Sequence, residues 1–106
     1  TMLCAFASDW NLCSTAMLPV GIIFPHPRVK RLASLDHAMW FHRPVPMDDW
    51  VVHHITPTAP GNARGLCTSR WYDSTGARLV TCVQEALIRL DTDPAKAKLP
   101  PLAGWT

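Results

Sequence analysis

The stretch Ala33-Ser34-Leu35-Asp36-His37-Ala38-Met39-Trp40-Phe41-His42-Arg43-Pro44 decides how the rest of the chain is read. One carboxylate, two histidines and a hydroxyl are set into a run that otherwise has the apolar and aromatic residues of a buried strand. Each of those polar groups, if buried, needs a hydrogen-bond partner. The run is therefore either a satisfied structural network or part of a functional site. From Arg31 to His42 it is long enough to cross a sheet. Strand parity places Ser34, Asp36, Ala38 and Trp40 on one face and Leu35, His37, Met39 and Phe41 on the other. Neither face is cleanly polar, so a bulge, or burial on both sides, is expected.

On the N-terminal side, Thr1 to about Leu18 is predicted to be one helix. Leu3, Phe6, Trp10, Cys13 and Met17 form an apolar stripe at helical spacing, and Met2, Ala5, Leu12 and Ala16 form a second. A helix apolar nearly all round is expected to be buried on most sides. Asp9 interrupts the second stripe. It is either a carboxylate reaching an Arg or a backbone amide, or a general base. Pro19-Val20-Gly21 ends the helix, and a loop runs to Pro27.

On the C-terminal side, Pro44 to Asp49 is a turn and Trp50 to about Thr58 a strand, with His53 and His54 on opposite faces. Residues 58–63 read as a hairpin connection in which Pro60-Gly61 suits a type II turn. Gly65 to Tyr72 returns as a strand, and Asp73-Ser74-Thr75-Gly76 turns tightly, with Gly76 supplying a positive φ. Arg78 to Leu90 gives the clearest alternation. Val80, Cys82, Gln84, Ala86, Ile88 and Leu90 share one face, apolar except for Gln84. That amide either serves a bulge or a backbone group, or meets a partner on the buried helix near Asp9. One buried helix and a meander of strands make an α+β arrangement, an antiparallel sheet wrapped around the helix.

Composition bounds the function. The chain has 106 residues, 48% of them hydrophobic, enough for one compact core. A net charge of +2, with no basic cluster beyond Arg28-Val29-Lys30-Arg31, does not point to nucleic acid. Four cysteines without a CxxC pair are expected as free, mostly buried thiols, the alternative being Cys67 facing Cys82 across neighbouring strands. His42, His53 and His54 make no metal-ligand set. The uncharged run from Trp10 to Pro27 is broken by prolines and too polar for a membrane span. No signal peptide is visible, and a chain opening at Thr1 inside a helical pattern reads as a fragment of a longer protein. Residues 91–106 are a polar, proline-rich tail.

Ala7-Ser8-Asp9, Ala16-Met17-Leu18-Pro19, the Ser34 to Pro44 run, Ala63-Arg64-Gly65 and Val83-Gln84-Glu85 fall in the order seen in the acyl-CoA thioesterase II family, which this chain resembles from about Met2 to Leu90. The resemblance implies the second half of a double hotdog, in which each half wraps a curved antiparallel sheet around a long helix. Residues 1–90 would be a C-terminal hotdog domain without its first strand and helix start. It implies hydrolysis of fatty acyl-CoA thioesters by a water nucleophile held by Asp9, Ser34 and Gln84, matched to the family's Asp, Ser or Thr, and Gln. Two of these three are the polar residues that periodicity marks on apolar faces.

Such chemistry needs an oriented water, a base beside it and donors to the developing oxyanion, with backbone N–H groups expected in the last role. No Gly-x-Ser-x-Gly elbow is present. Asp36 and His37 are read as framework residues, and Arg43 and Arg64 as candidate contacts to CoA phosphates. Where the family often has His the chain has Val20, and where Gly is common it has Ala86, whose methyl bears on acyl-chain fit. The implied partners are acyl-CoA, an N-terminal hotdog half and further copies in a homo-oligomer, with no cofactor. The implied location is bacterial cytoplasm or the peroxisomal matrix. The competing reading is a non-catalytic hotdog lobe that binds acyl-CoA or serves as a scaffold.

Overall fold

The structure, a computed structural model, describes residues 2–58 and 60–91. Most of the 91–106 tail lies outside the described residues. The longest element is β5 (Arg78–Leu90), with the bounds the alternation predicts. Val80, Cys82, Gln84, Ala86 and Ile88 are buried in a row on its inner face. Along one side β5 pairs antiparallel with β4 (Arg64–Tyr72), and β4 pairs with β3 (Val52–Pro57) at the sheet's edge. Along its other side β5 meets two strands in succession. β1 (Val29–Ser34) covers its C-terminal half and β2 (Ala38–Phe41) its N-terminal half.

The predicted 31–42 strand is thus interrupted at Leu35-Asp36-His37. The break is held on both sides of Glu85. Leu35 N donates to the Glu85 carbonyl (2.9 Å), and Glu85 N donates to Asp36 Oδ1 (2.8 Å). The carboxylate thereby replaces the main-chain acceptor that a continuous strand would have supplied, so the Glu85 amide is not orphaned.

The predicted helix over residues 1–18 is not continuous. It divides into α1 (Met2–Ala7), α2 (Leu12–Thr15) and a 3-10 turn, Leu18–Val20. Ser8 Oγ bonds back to the Ala5 carbonyl at 2.7 Å, and Asn11 takes a left-handed φ of 67°, which ends one helix and redirects the next. Burial departs from expectation accordingly. Met2, Leu3, Phe6 and Trp10 are exposed at 59–87%, Phe6 and Trp10 meeting only edge to face with each other.

What α2 and the following turn bury is Leu12, Ala16, Met17, Val20 and Ile22, against Cys67, Cys82, Ala86 and Ile88 of the sheet. A second cluster gathers Cys4 of α1 with Trp71, Leu79 and Val80. Gly65 of β4 lets α2 approach this closely. A Cβ there would stand 2.7 Å from Ala16 Cβ and 2.8 Å from Ile88 Cδ1. The β3–β4 hairpin turns on Asn62-Ala63 rather than Pro60-Gly61. Gly61 and Arg64 exchange both backbone bonds, and Asn62 and Ala63 have φ of 53° and 58°, as in a type I′ turn. Gly76 has the expected positive φ, 87°. All four cysteines are free. Cys67 pairs in register with Gln84, not with Cys82.

Candidate active site

Gln84 sits at the centre of β5 and is 1% exposed, so its carboxamide must be satisfied from within the protein. Its Nε2 donates to Ser34 Oγ at 3.0 Å and to Cys13 Sγ at 3.1 Å. Its Oε1 lies 2.5 Å from His37 Nδ1. Ser34 Oγ in turn donates to Asp9 Oδ1 at 3.5 Å, the outer limit of a hydrogen bond, and lies 3.4 Å from Cys13 Sγ. The three residues singled out by sequence are therefore brought together, with Ser34 as the link between Asp9 and Gln84.

Their surroundings grade from dry to wet across that link. Gln84 lies under the sheet, whereas Ser34 and Asp9 are exposed. Asp9 is not the buried carboxylate that its place in an apolar stripe predicts, because the chain breaks out of helix at Ser8 to Asn11 and carries it to the rim. The break in the outer strand matters equally. Residues 34 and 37 are three apart, and on a regular strand they would point to opposite faces. With the interruption between β1 and β2, both reach Gln84.

Sequence reasoning treated His37 as framework and did not single out Ser8 or Cys13. His37 Nε2 lies 2.8 Å from the buried Ser8 Oγ, and Cys82 Sγ lies 3.4 Å from the same nitrogen. Ser8 also contacts Met39 Sδ at 3.2 Å. The only signal for Ser8 was its place beside Asp9, and no periodicity rule connects residue 8 to residue 37. Burial pushes the Cys82 thiol up, and it pushes Cys67 up to about 11. Both sulfurs are buried beneath the cluster, Cys82 against His37 and Cys67 against the Leu12 carbonyl.

Arg43 and Arg64 are not part of this cluster. Arg43 follows β2, with its amide donating to the Leu79 carbonyl, while Arg64 pairs in register with Leu87. Eight residues of β5 separate these positions, about 26 Å at ordinary strand rise. Arg64 also faces outward, opposite to Gln84, and pairs with Glu85 at 3.2 Å. That pair borders an open cavity of about 430 Å³ lined also by Gly61, Asn62, Gly65 and Leu66. Val20 and Ala86, the two departures from the family pattern, both belong to the α2 core. Among the described residues no group of three metal-ligating side chains converges, and no helix is long and apolar enough to cross a membrane.

The chain resembles known proteins in sequence and in fold. Residues 2–88 match the family model described as acyl-CoA thioesterase C-terminal domain. Acyl-coenzyme A thioesterase 8 of Mus musculus is 38% identical over 95 residues, 90% of this chain and 29% of that protein. Acyl-CoA thioesterase 2 of Haemophilus influenzae is 34% identical over 87 residues, 82% of this chain and 30% of that protein. The crystal structure of an acyl-CoA thioesterase II, TesB2, from Mycobacterium marinum superposes with a TM-score of 0.72 at 30% identity, covering 85% of this chain and 35% of that one. The chain thus spans about three-tenths of the length of the curated relatives it matches. Its sheet and short helices are a partial hotdog, and the chain belongs to the family of acyl-CoA thioesterase C-terminal domains.

Proposed function

We propose that the protein carrying this chain hydrolyses fatty acyl-CoA thioesters to free fatty acid and CoA, with a water nucleophile activated by Asp9 and oriented by Ser34 and Gln84. The observation that carries this reading is the donor chain from Gln84 Nε2 to Ser34 Oγ to Asp9 Oδ1, anchored in the core at one end and open to solvent at the other. A water at that open end meets a carboxylate that takes its proton and a hydroxyl whose direction is already set. Its oxygen adds to the thioester carbonyl carbon. The tetrahedral intermediate then collapses with cleavage of the C–S bond, and the departing CoA thiolate takes up a proton. Thiolates leave readily, so one base and fixed donors suffice where an amide would demand a strong acid.

The relatives' names supply the substrate class, and the exposed apolar row Met2, Leu3, Phe6 and Trp10 supports a further hotdog half covering this face in the full-length protein. In that reading residues 1–90 are the C-terminal hotdog, and self-association of the whole protein follows the same apolar surfaces. Arg43 and Arg64 stand too far apart to share the phosphates of one CoA, so at most one of them serves a given headgroup.

The test is palmitoyl-CoA hydrolysis by the full-length protein and its Asp9→Asn variant. Loss of a general base is expected to lower kcat by a factor on the order of 10² to 10⁴. Undiminished turnover in Asp9→Asn, or none in the unaltered protein, favours instead a lobe that binds acyl-CoA without cleaving it.

A further inference from the structure

We propose that His37 is a positioning residue of this site: by donating from Nδ1 to Gln84 Oε1 it fixes which way the buried carboxamide faces, and with it the direction of hydrogen bonding along Gln84, Ser34 and Asp9. The inference rests on the reading of those three residues as the catalytic group and adds a residue, itself exposed, that acts on them through Gln84.

A carboxamide is nearly symmetric in shape but not in chemistry. One end only donates and the other only accepts. As it stands, the Gln84 NH₂ gives its two hydrogens to Cys13 Sγ and Ser34 Oγ, which leaves the single Ser34 proton for Asp9. Turned over, Oε1 would face Ser34 and take that proton, and Asp9 would lose the hydroxyl donor that points at it. At 1% exposure no bulk water chooses between the two orientations. The choice falls to the group against Oε1, which is His37 Nδ1.

The ring is held from its other side. Ser8 Oγ is completely buried and has one proton to place among the Ala5 carbonyl at 2.7 Å, His37 Nε2 at 2.8 Å and the weaker acceptor Met39 Sδ at 3.2 Å. If it donates to Ala5, Nε2–H donates to Ser8. If it donates to Nε2, the ring is the neutral Nδ1–H tautomer. Gln84 Oε1 can only accept, so its contact with Nδ1 calls for a hydrogen on Nδ1, and on a neutral ring that is the arrangement in which Ser8 donates to Nε2. The contact opposes the neutral Nε2–H tautomer, whose bare Nδ1 would draw the amide round. Ser8 and Asp9 are neighbours in the chain, so Ser8, His37, Gln84, Ser34 and Asp9 close a circuit through a single peptide link.

The test compares His37→Leu, His37→Asn and Ser8→Ala with Asp9→Asn in the full-length protein. The Asn amide can place an N–H near the former Nδ1 position, whereas Leu cannot. Removal of the donor is expected to lower kcat tenfold to about a hundredfold, the usual scale for partners that orient a site from outside it. KM should move less than about threefold, because the substrate-contacting groups are unchanged. His37→Asn should recover at least a tenth of the native kcat and stand clearly above His37→Leu. In unaltered protein labelled with ¹⁵N, the His37 Nδ1 shift should be that of a protonated nitrogen, a readout independent of turnover and of any variant's folding.

An unprotonated Nδ1 overturns the proposal, as does a folded His37→Leu variant within twofold of native kcat. Equal losses in the Leu and Asn variants with unchanged melting also overturn it. If Asp9→Asn turns over normally, the catalytic reading itself falls and takes this one with it. If Asp9→Asn is dead and His37→Leu is not, only the positioning role falls.

Discussion

Replacing Gly65 by Ala tests the closest approach between α2 and the sheet. The added Cβ would lie 2.7 Å from Ala16 Cβ and 2.8 Å from Ile88 Cδ1, against roughly 3.5–4.0 Å for carbons at ordinary contact. Ile88 Cδ1 ends a flexible side chain and can swing aside. Ala16 Cβ is fixed to the backbone at the end of α2, so relief there requires the helix itself to retreat by about 1 Å. Overpacking of this kind costs about 1–3 kcal/mol. Removing a strand glycine returns roughly 0.5–1 kcal/mol. The net expectation is a loss of about 1–2 kcal/mol, read as a lower denaturant midpoint at unchanged slope.

The functional effect should be larger than the structural one. The Asp9–Ser34 contact already stands at 3.5 Å, and a 1 Å retreat of the segment carrying Asp9 and Cys13 takes it out of hydrogen-bond range. A displacement of that size at reacting groups lowers turnover by about a hundredfold. Adding Ala16→Gly removes the first clash and should restore kcat while stability stays low, since glycine near a helix end carries its own entropic cost. A Gly65→Ala variant with native stability and turnover would refute the reasoning. So would a double variant whose kcat stays at the level of the single one.

Other outcomes follow from separate features. Iodoacetamide should label Cys13 ahead of Cys4, Cys67 and Cys82, which are buried and whose thiols burial pushes up. The adduct falls on the Sγ that receives Gln84 Nε2, so peptide mapping should tie modification of Cys13 to at least a tenfold loss of turnover, slowed by acyl-CoA. Ala63→Gly should raise stability by about 0.5–1 kcal/mol, because Ala63 holds a φ of 58° that costs an L side chain more than glycine. His53 packs against Trp71 with ring centroids 4.7 Å apart, and burial holds its pKa below the ordinary value. Its charged form is disfavoured in the fold, so the stability it contributes is present above the unfolded value near 6.5 and is lost as pH falls through that value toward the folded one. Unfolding measured from pH 8 to pH 5 should show a shallower decline in His53→Phe than in the native protein.

The parts of the fold legible in the sequence were those decided by local alternation. β5 is one, with its ends and its single polar intruder, because a strand covered on one face and paired on both edges leaves little freedom to either face. The tight turn at Gly76 is another, since a positive φ selects its residue. The helix was misjudged because apolar spacing records which residues can be buried together, not whether anything lies opposite them. Phe6 and Trp10 touch each other edge to face and remain exposed. Neither Asn11 turning left-handed nor Ser8 closing onto Ala5 leaves a mark on that spacing. Asp9 and Gln84 stood out because each broke a pattern. His37 did not, because strand parity carried it to the face away from Ser34. Only the break at residues 35–37 reverses that assignment.

That break has a consequence for how such a chain tolerates change in length. β5 is clasped along one side by two strands whose registers are set separately, Ser34 opposite Ala86 and Ala38 opposite Val83. A residue gained or lost between them would be absorbed in the gap, with neither ladder forced to slip by one and turn its side chains over. The same event inside β4 or β5 has no such slack and would invert a whole face. The joint at Leu35-Asp36-His37 therefore separates tuning of the site's rim from upkeep of the sheet. Evolution or design can lengthen it, shorten it or bend it, altering how Ser34 and His37 address Gln84, while both flanking ladders keep their pairing.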